Sequence, residues 1–80
     1  MTVGEVVSAC QDRVASVQRR NDALRRLVES YRGMGLTYVQ AVQRTADEVR
    51  DALLQAGFTD AEVRGLGVSV GNIRAVVERS

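Results

Sequence analysis

Residues 3–31 read VGEVVSACQDRVASVQRRNDALRRLVESY, and this stretch decides the predicted fold. Its apolar residues recur at alternating steps of four and three, with one polar member. That spacing is a heptad sustained over about four repeats, which is typical of an α-helix that packs along one seam. A strand would instead alternate every two residues. The seam consists of Val3, Val7, Cys10, Val14, Val17, Asn21, Leu24, Val28 and Tyr31.

The other helices are marked by their start and stop signals. A hydroxyl residue followed three positions later by an acid or amide forms a capping box, and such pairs begin at Thr2, Thr37 and Thr59. Ser69 can cap one more helix. Glycines suited to the left-handed conformation past a helix end stand at Gly33, Gly35, Gly57 and Gly67. The chain is therefore predicted to be all-α, with helices over 3–32, 38–56, 60–66 and 70–79.

The first two helices are expected to form a long antiparallel hairpin, resembling a coiled coil, over residues 1–57. The second helix carries a heptad of its own, and the connection between the helices is short, which favours antiparallel neighbours. Its seam is Val39, Val42, Ala46, Val49, Leu53 and Ala56. Residues 58–80 then form a short helix pair, and the whole chain of 80 residues is one small domain.

The hairpin predicts a charge pattern along its length. Counting outward from the loop places Asn21 near Glu48, and Arg20 and Arg25 near a group of acids on the second helix. Those acids are Asp47, Glu48 and Asp51. The first helix is the longer of the two, so its N-terminal third must cover the C-terminal helices or pair with another chain.

Pairing with another chain is the alternative use of the first heptad. β-branched residues at a, Leu at d and a lone Asn at a favour a parallel dimer. The flanking positions resist it, because Arg20 would face Arg25 of a second copy. A homodimer and an intramolecular hairpin therefore both stay open. The predicted oligomer or partner interface is Val3, Val7, Cys10, Val14, Val17, Asn21 and Leu24.

Composition excludes several function classes. The chain has no His and one Cys, so it cannot build a His/Cys zinc site or a Cys-His catalytic pair. We expect no metal, no cofactor and no enzymatic activity. A lone cysteine forms no internal disulfide, which is typical of the cytoplasm. No apolar run is long enough to span a membrane, and no signal peptide opens the chain.

The net charge is +1, but the charge is unevenly distributed. Residues 1–36 carry six Arg and four acids, whereas residues 59–80 carry three of each. The predicted basic patch on the first helix is Arg19, Arg20, Arg25 and Arg26. Such a patch can neutralise nucleic-acid phosphates or bind an acidic protein.

The segment TDAEVRGLGVSVGNIRAVVER, residues 59–79, resembles the helix-turn-helix of bacterial and phage regulators and of sigma-factor C-terminal regions. The resemblance rests on Leu66-Gly67-Val68-Ser69, on Ile73 and on Val76. It implies that the second helix enters the major groove of DNA. It also implies that Ser69, Val70, Asn72 and Arg74 read bases, and that Thr59 and Arg64 contact phosphates.

The sequence thus predicts a small DNA-binding transcription regulator of bacterial or phage type that oligomerises through its first helix. The neutral charge of the reading unit leaves two alternatives open. The C-terminal pair is also compatible with a helical corner that only packs. The chain would then be an adaptor or inhibitor that binds a protein through the heptad and Arg face of the first helix.

Overall fold

The computed structural model describes residues 3–11 and 17–79. Within them, all regular structure is helical, as predicted. The helices are α1 (Val3–Gln11), α2 (Val17–Gly33), α3 (Tyr38–Gln55), α4 (Asp60–Gly65) and α5 (Val70–Glu78). Thr2 and Val14, which the sequence assigned to a cap and to the seam, lie outside the described residues.

The single long helix predicted over 3–32 is wrong. α1 packs against both α2 and α3, and Glu5 Oε2 lies 3.3 Å from Arg26 Nη1. In one straight helix these residues, 21 positions apart, would be separated by about 31 Å. α1 therefore packs on the hairpin helices of its own chain. The heptad could not predict this fold-back, because the same apolar stripe is compatible with one straight helix and with two helices packed on each other.

α3 lies at the centre of the fold and packs against each of the other four helices. Of its predicted seam, four residues are buried, whereas Val39 is 72% exposed and Ala56 is an exposed helix cap. Ala41 and Thr45 are fully buried although the heptad omitted them. The buried side of α3 is broader than a two-helix seam, because four neighbours surround it.

The predicted charge pairing along the hairpin is also wrong. Glu48 accepts hydrogen bonds from Tyr31 and from Arg44 of its own helix. Arg25 donates to Asp22, one turn away. Arg20 contacts Asn21 and the turn after α4. The ion pairs of Arg25 and Arg44 are instead local i,i+3 and i,i+4 pairs, which need no particular crossing of the two helices.

The capping signals, by contrast, are confirmed in the described residues. Thr37 with Gln40 and Thr59 with Glu62 both form complete capping boxes, and Ser69 caps α5. Gly35 and Gly57 have positive φ at the ends of α2 and α3. Gly33 remains within α2, so the stop at this end is Gly35.

The fold-back of α1 can be tested by a distance measurement. Spin labels on a Glu5→Cys, Arg26→Cys variant in a Cys10→Ser background should report a separation far below the straight-helix value. Line broadening in continuous-wave EPR detects a close pair, and double electron–electron resonance measures a separation as long as the straight-helix value. A distance near 30 Å would instead restore the single long helix.

Candidate nucleic-acid interface

The turn between α4 and α5 has the local geometry that the sequence predicted. Gly67 adopts φ +70°, and Val68 is buried. Ser69 Oγ accepts a hydrogen bond from the backbone N–H of Asn72 at 3.3 Å. Ile73 and Val76 form the buried face of α5. The chain therefore reverses after α4 through a left-handed glycine and starts α5 at a hydroxyl cap.

The two helices joined by this turn pack mainly on the hairpin helices. α4 packs on α3, while α5 packs on α2 and α3. The turn is thus held by the hairpin helices on either side of it.

Arg20 makes the main contact between α2 and this turn. Its Nη1 donates to the carbonyl oxygen of Leu66 at 2.8 Å, and its Nη2 donates to Asn21 Oδ1 at 2.8 Å. A Cβ built on Gly67 would lie 2.6 Å from Arg20 Nη1. The glycine thus leaves room for the guanidinium, which satisfies a carbonyl past the end of α4. Sequence reasoning placed Arg20 in a basic patch and missed this contact across 46 positions.

The side chain of Asn72 is hydrogen-bonded within the same turn. Its side-chain amide donates to the carbonyl oxygen of Gly67, and the residue is half-buried. A Cβ on Gly67 would lie 3.1 Å from Asn72 Nδ2. Arg20 and Asn72 therefore both approach Gly67 at the position that a side chain would occupy. The bidentate adenine contact predicted for Asn72 would require the turn to release the amide.

The other predicted DNA contacts divide between two places. Arg64, Ser69 and Val70 line a groove of about 320 Å³ between α3 and the C-terminal helices, together with Asp47 and Arg50. Two further contacts lie outside this groove. Thr59 is an exposed cap at the start of α4, and Arg74 is exposed one turn beyond Val70.

The four arginines predicted as a basic patch lie on different sides of α2. Successive helical residues point about 100° apart, so neighbouring arginines diverge. Arg20 points to the turn, and Arg25 pairs with Asp22 at 2.7 Å. Arg26 pairs with Glu5 of α1, and Arg19 lines a groove beside Glu5. Arg19, Arg25 and Arg26 line two adjoining grooves that share Asp22 and Arg26, whereas Arg20 is separate from them at the turn.

A polar cluster that the sequence did not reveal lies at the C-terminal end of α5. Tyr38 Oη donates to Glu78 Oε2 at 2.9 Å, and Arg74 Nε donates to the same oxygen at 3.4 Å. The Arg32 guanidinium lies 5.9 Å from the centre of the Tyr38 ring. Partial burial and the bond to Glu78 raise the pKa of Tyr38, so the phenol remains a donor. We call Arg32, Tyr38, Arg74 and Glu78 the carboxylate cluster.

The predicted oligomer interface mostly faces the core of its own chain. Val3, Val7 and Cys10 are half-buried against that core, and Leu24 is fully buried, so Leu24 offers no surface to a second chain. Two described members of the interface, Val17 and Asn21, are more accessible: Val17 is 63% exposed and Asn21 is half-buried.

Cys10 is not an activated thiol. Partial burial raises its pKa, and Arg20 opposes this rise only in part. A thiol with a raised pKa is a poor nucleophile at neutral pH. No group of three or more acidic or cysteine side chains in the described ranges could hold a metal ion.

None of the helices in the described part of the chain combines the length and apolar character needed to cross a membrane. Comparison of the chain with protein-family models, with curated proteins and with solved structures finds no match.

A pair of glycine substitutions tests the turn. Gly67→Ala should destabilise the fold by about 1–2 kcal/mol, because an L-residue resists positive φ and its methyl group crowds Arg20. Gly71→Ala is the matched control. Gly71 lies inside α5 with free space around it, so alanine there should stabilise by about 0.5–1 kcal/mol. Urea unfolding followed by circular dichroism measures both, and equal effects would contradict the turn geometry.

The capping box of α4 predicts a dependence of stability on pH. Hydrogen bonds from the backbone and side chain of Thr59 lower the pKa of Glu62. A carboxylate with a lowered pKa stabilises the fold above its unfolded pKa, and the effect disappears as pH falls through the folded value. Glu62→Ala should therefore lower the urea midpoint at pH 7 and have a smaller effect at pH 3. Glu62→Gln is the control, since it retains a cap without titrating. A Glu62→Ala effect of equal size at both pH values would rule out the carboxylate cap.

Proposed function

We propose that this protein is a small, non-enzymatic DNA-binding protein that contacts the duplex through the outer side of α5 and the arginines of α2 beside it. The observation that supports this is the position of two α2 arginines at opposite ends of α5. Arg20 contacts the turn before α5. Arg32 lies on Tyr38, which is bonded to the last residue of α5.

These two arginines change the electrostatics of the reading unit. Residues 59–80 alone carry three Arg and three acids and are neutral. With Arg20 and Arg32 beside it, the surface around α5 gains two positive charges. Affinity for DNA comes largely from neutralising phosphates, so α2 would supply the charge that the C-terminal pair lacks.

The outer stripe of α5 determines the roles we assign. It consists of Gly71, Arg74 and Glu78, so Arg74 is its one cation. We assign the main contact of α5 with the duplex to Arg74. Thr59, Arg64 and Ser69 are exposed and would contact phosphates, while Asn72 holds the turn.

The proposal takes the single chain as the binding unit, because most of the described heptad residues of α1 and α2 are packed in their own core. Dimerisation through the first helix stays a prediction. A cytoplasmic location and a regulatory role accompany the proposal, since DNA is the expected partner.

Binding to a labelled duplex tests the proposal. Fluorescence anisotropy at 50 mM salt should show binding that weakens steeply as salt rises. Arg74→Ala should lower the affinity roughly three- to tenfold and reduce the slope of log K against log salt by about 0.9. Arg26→Ala is the matched control, since it removes the same charge on the α1 side of α2. Equal losses for both variants would contradict the role of α5, and the absence of any binding at low salt would refute DNA binding.

Protein binding is the second candidate, and a different surface favours it. Met34 and Val39 are 69% and 72% exposed and line one groove at the connection between α2 and α3. This apolar surface would fit the apolar side of a partner helix. It differs from the heptad and Arg face of the first helix, which the sequence favoured for an adaptor or inhibitor. Wild-type protein that fails to bind DNA at low salt would make this the better candidate.

A further inference from the structure

The carboxylate cluster has the composition of an anion-binding site whose anion comes from the protein itself. A phenol and a guanidinium N–H both donate to a single oxygen of Glu78. A second guanidinium, that of Arg32, lies over the ring of this phenol, 5.9 Å from the ring centre. Arg74 and Glu78 are one turn apart on α5, and the fold brings Tyr38 of α3 and Arg32 of α2 to this pair.

The carboxylate in this cluster is held weakly enough to be replaced. The side chains of Arg74 and Glu78 are 58% and 56% exposed, and exposed ion pairs of this kind contribute about 0–1 kcal/mol. Glu78 is also the last residue of α5, where helices fray most readily. An anion arriving from solvent can therefore take over its donors at little cost.

We propose that the carboxylate cluster is a phosphate-binding site in which Glu78 occupies the place of the ligand, and that a backbone phosphate of DNA displaces it. The proposal rests on the DNA-binding function above and assigns Arg32, Tyr38 and Arg74 as phosphate contacts. The phosphate oxygens accept the bonds now made to Glu78. Arginine suits this role because its planar fork matches two phosphate oxygens.

The charge of the site suits a phosphodiester as well as the internal carboxylate, since each carries one negative charge. With Glu78 displaced, Arg32 and Arg74 face a single negative phosphodiester, and Arg79 adds a third exposed cation next to it. Glu78 thus acts as a local competitor that lowers DNA affinity. Its removal should strengthen binding by more than the general gain of one positive charge.

A matched pair of substitutions separates the local from the general effect. Glu78→Gln removes the competing charge within the cluster. Asp51→Asn makes the same change of charge on α3, thirteen residues from Tyr38 in the chain and with no hydrogen bond or ion pair in the described structure. Circular dichroism confirms that both variants fold, and fluorescence anisotropy with a labelled duplex measures their affinity.

Glu78→Gln should bind the duplex roughly three- to tenfold more tightly at 50 mM salt and steepen the salt slope by about 0.9. Asp51→Asn should change the affinity less than twofold. Adding Tyr38→Phe to Glu78→Gln should remove most of the gain, because one donor is lost. Equal gains for Glu78→Gln and Asp51→Asn, in a protein that binds DNA, would overturn the phosphate site and leave the proposed function standing.

Titration with inorganic phosphate distinguishes this failure from failure of the function itself. The wild type could fail to bind DNA while inorganic phosphate shifts the NMR signals of Tyr38 and Arg74 in Glu78→Gln. That result would support the phosphate site, with free phosphate and not DNA as its ligand. Absence of these shifts in that case would overturn the site as well.

Discussion

The structure depends on the packing of α3 against every other helix. A chain of 80 residues can form only a small hydrophobic core, since a small domain buries a lower fraction of its surface than a large one. Here all four of the other helices pack against α3. Its buried side combines large residues such as Val49 and Leu53 with the small Ala41. The buried hydroxyl of Thr45 donates a hydrogen bond to the carbonyl oxygen of Ala41 at 2.8 Å. Substitutions in α3 should therefore affect all parts of the fold together.

Arg20 shows how this arrangement extends to the C-terminal helices. α4 has six residues, too few to form a stable helix alone, and it packs mainly on α3. A guanidinium from α2 binds the carbonyl at the junction, next to a glycine whose missing side chain admits it. Arg20, which the sequence placed in the basic patch, thus also fixes the orientation of α5.

The sequence could predict what depends on neighbours in the chain. The capping boxes at Thr37 and Thr59, the Ser69 cap and the left-handed Gly67 follow from residues within four positions of each other. It could not predict the fold-back of α1, because a heptad describes a stripe and not what covers it. The carboxylate cluster was missed for a related reason: Arg74 and Glu78 are one turn apart on α5, but nothing in the sequence places Tyr38 and Arg32, from two other helices, beside them.

The outer stripe of α5 also limits the kind of DNA binding that this fold can support. Recognition of a base sequence needs several side chains with hydrogen-bonding groups at the groove, each contributing about 1–3 kcal/mol of discrimination. On the outer stripe of α5, Arg74 is the one cation. The side-chain amide of Asn72 is already bonded to the carbonyl of Gly67. The contacts that remain around α5 are arginines and hydroxyls suited to phosphates. Because phosphate contacts position a protein without reading bases, the geometry favours binding with little sequence preference over recognition of a defined operator.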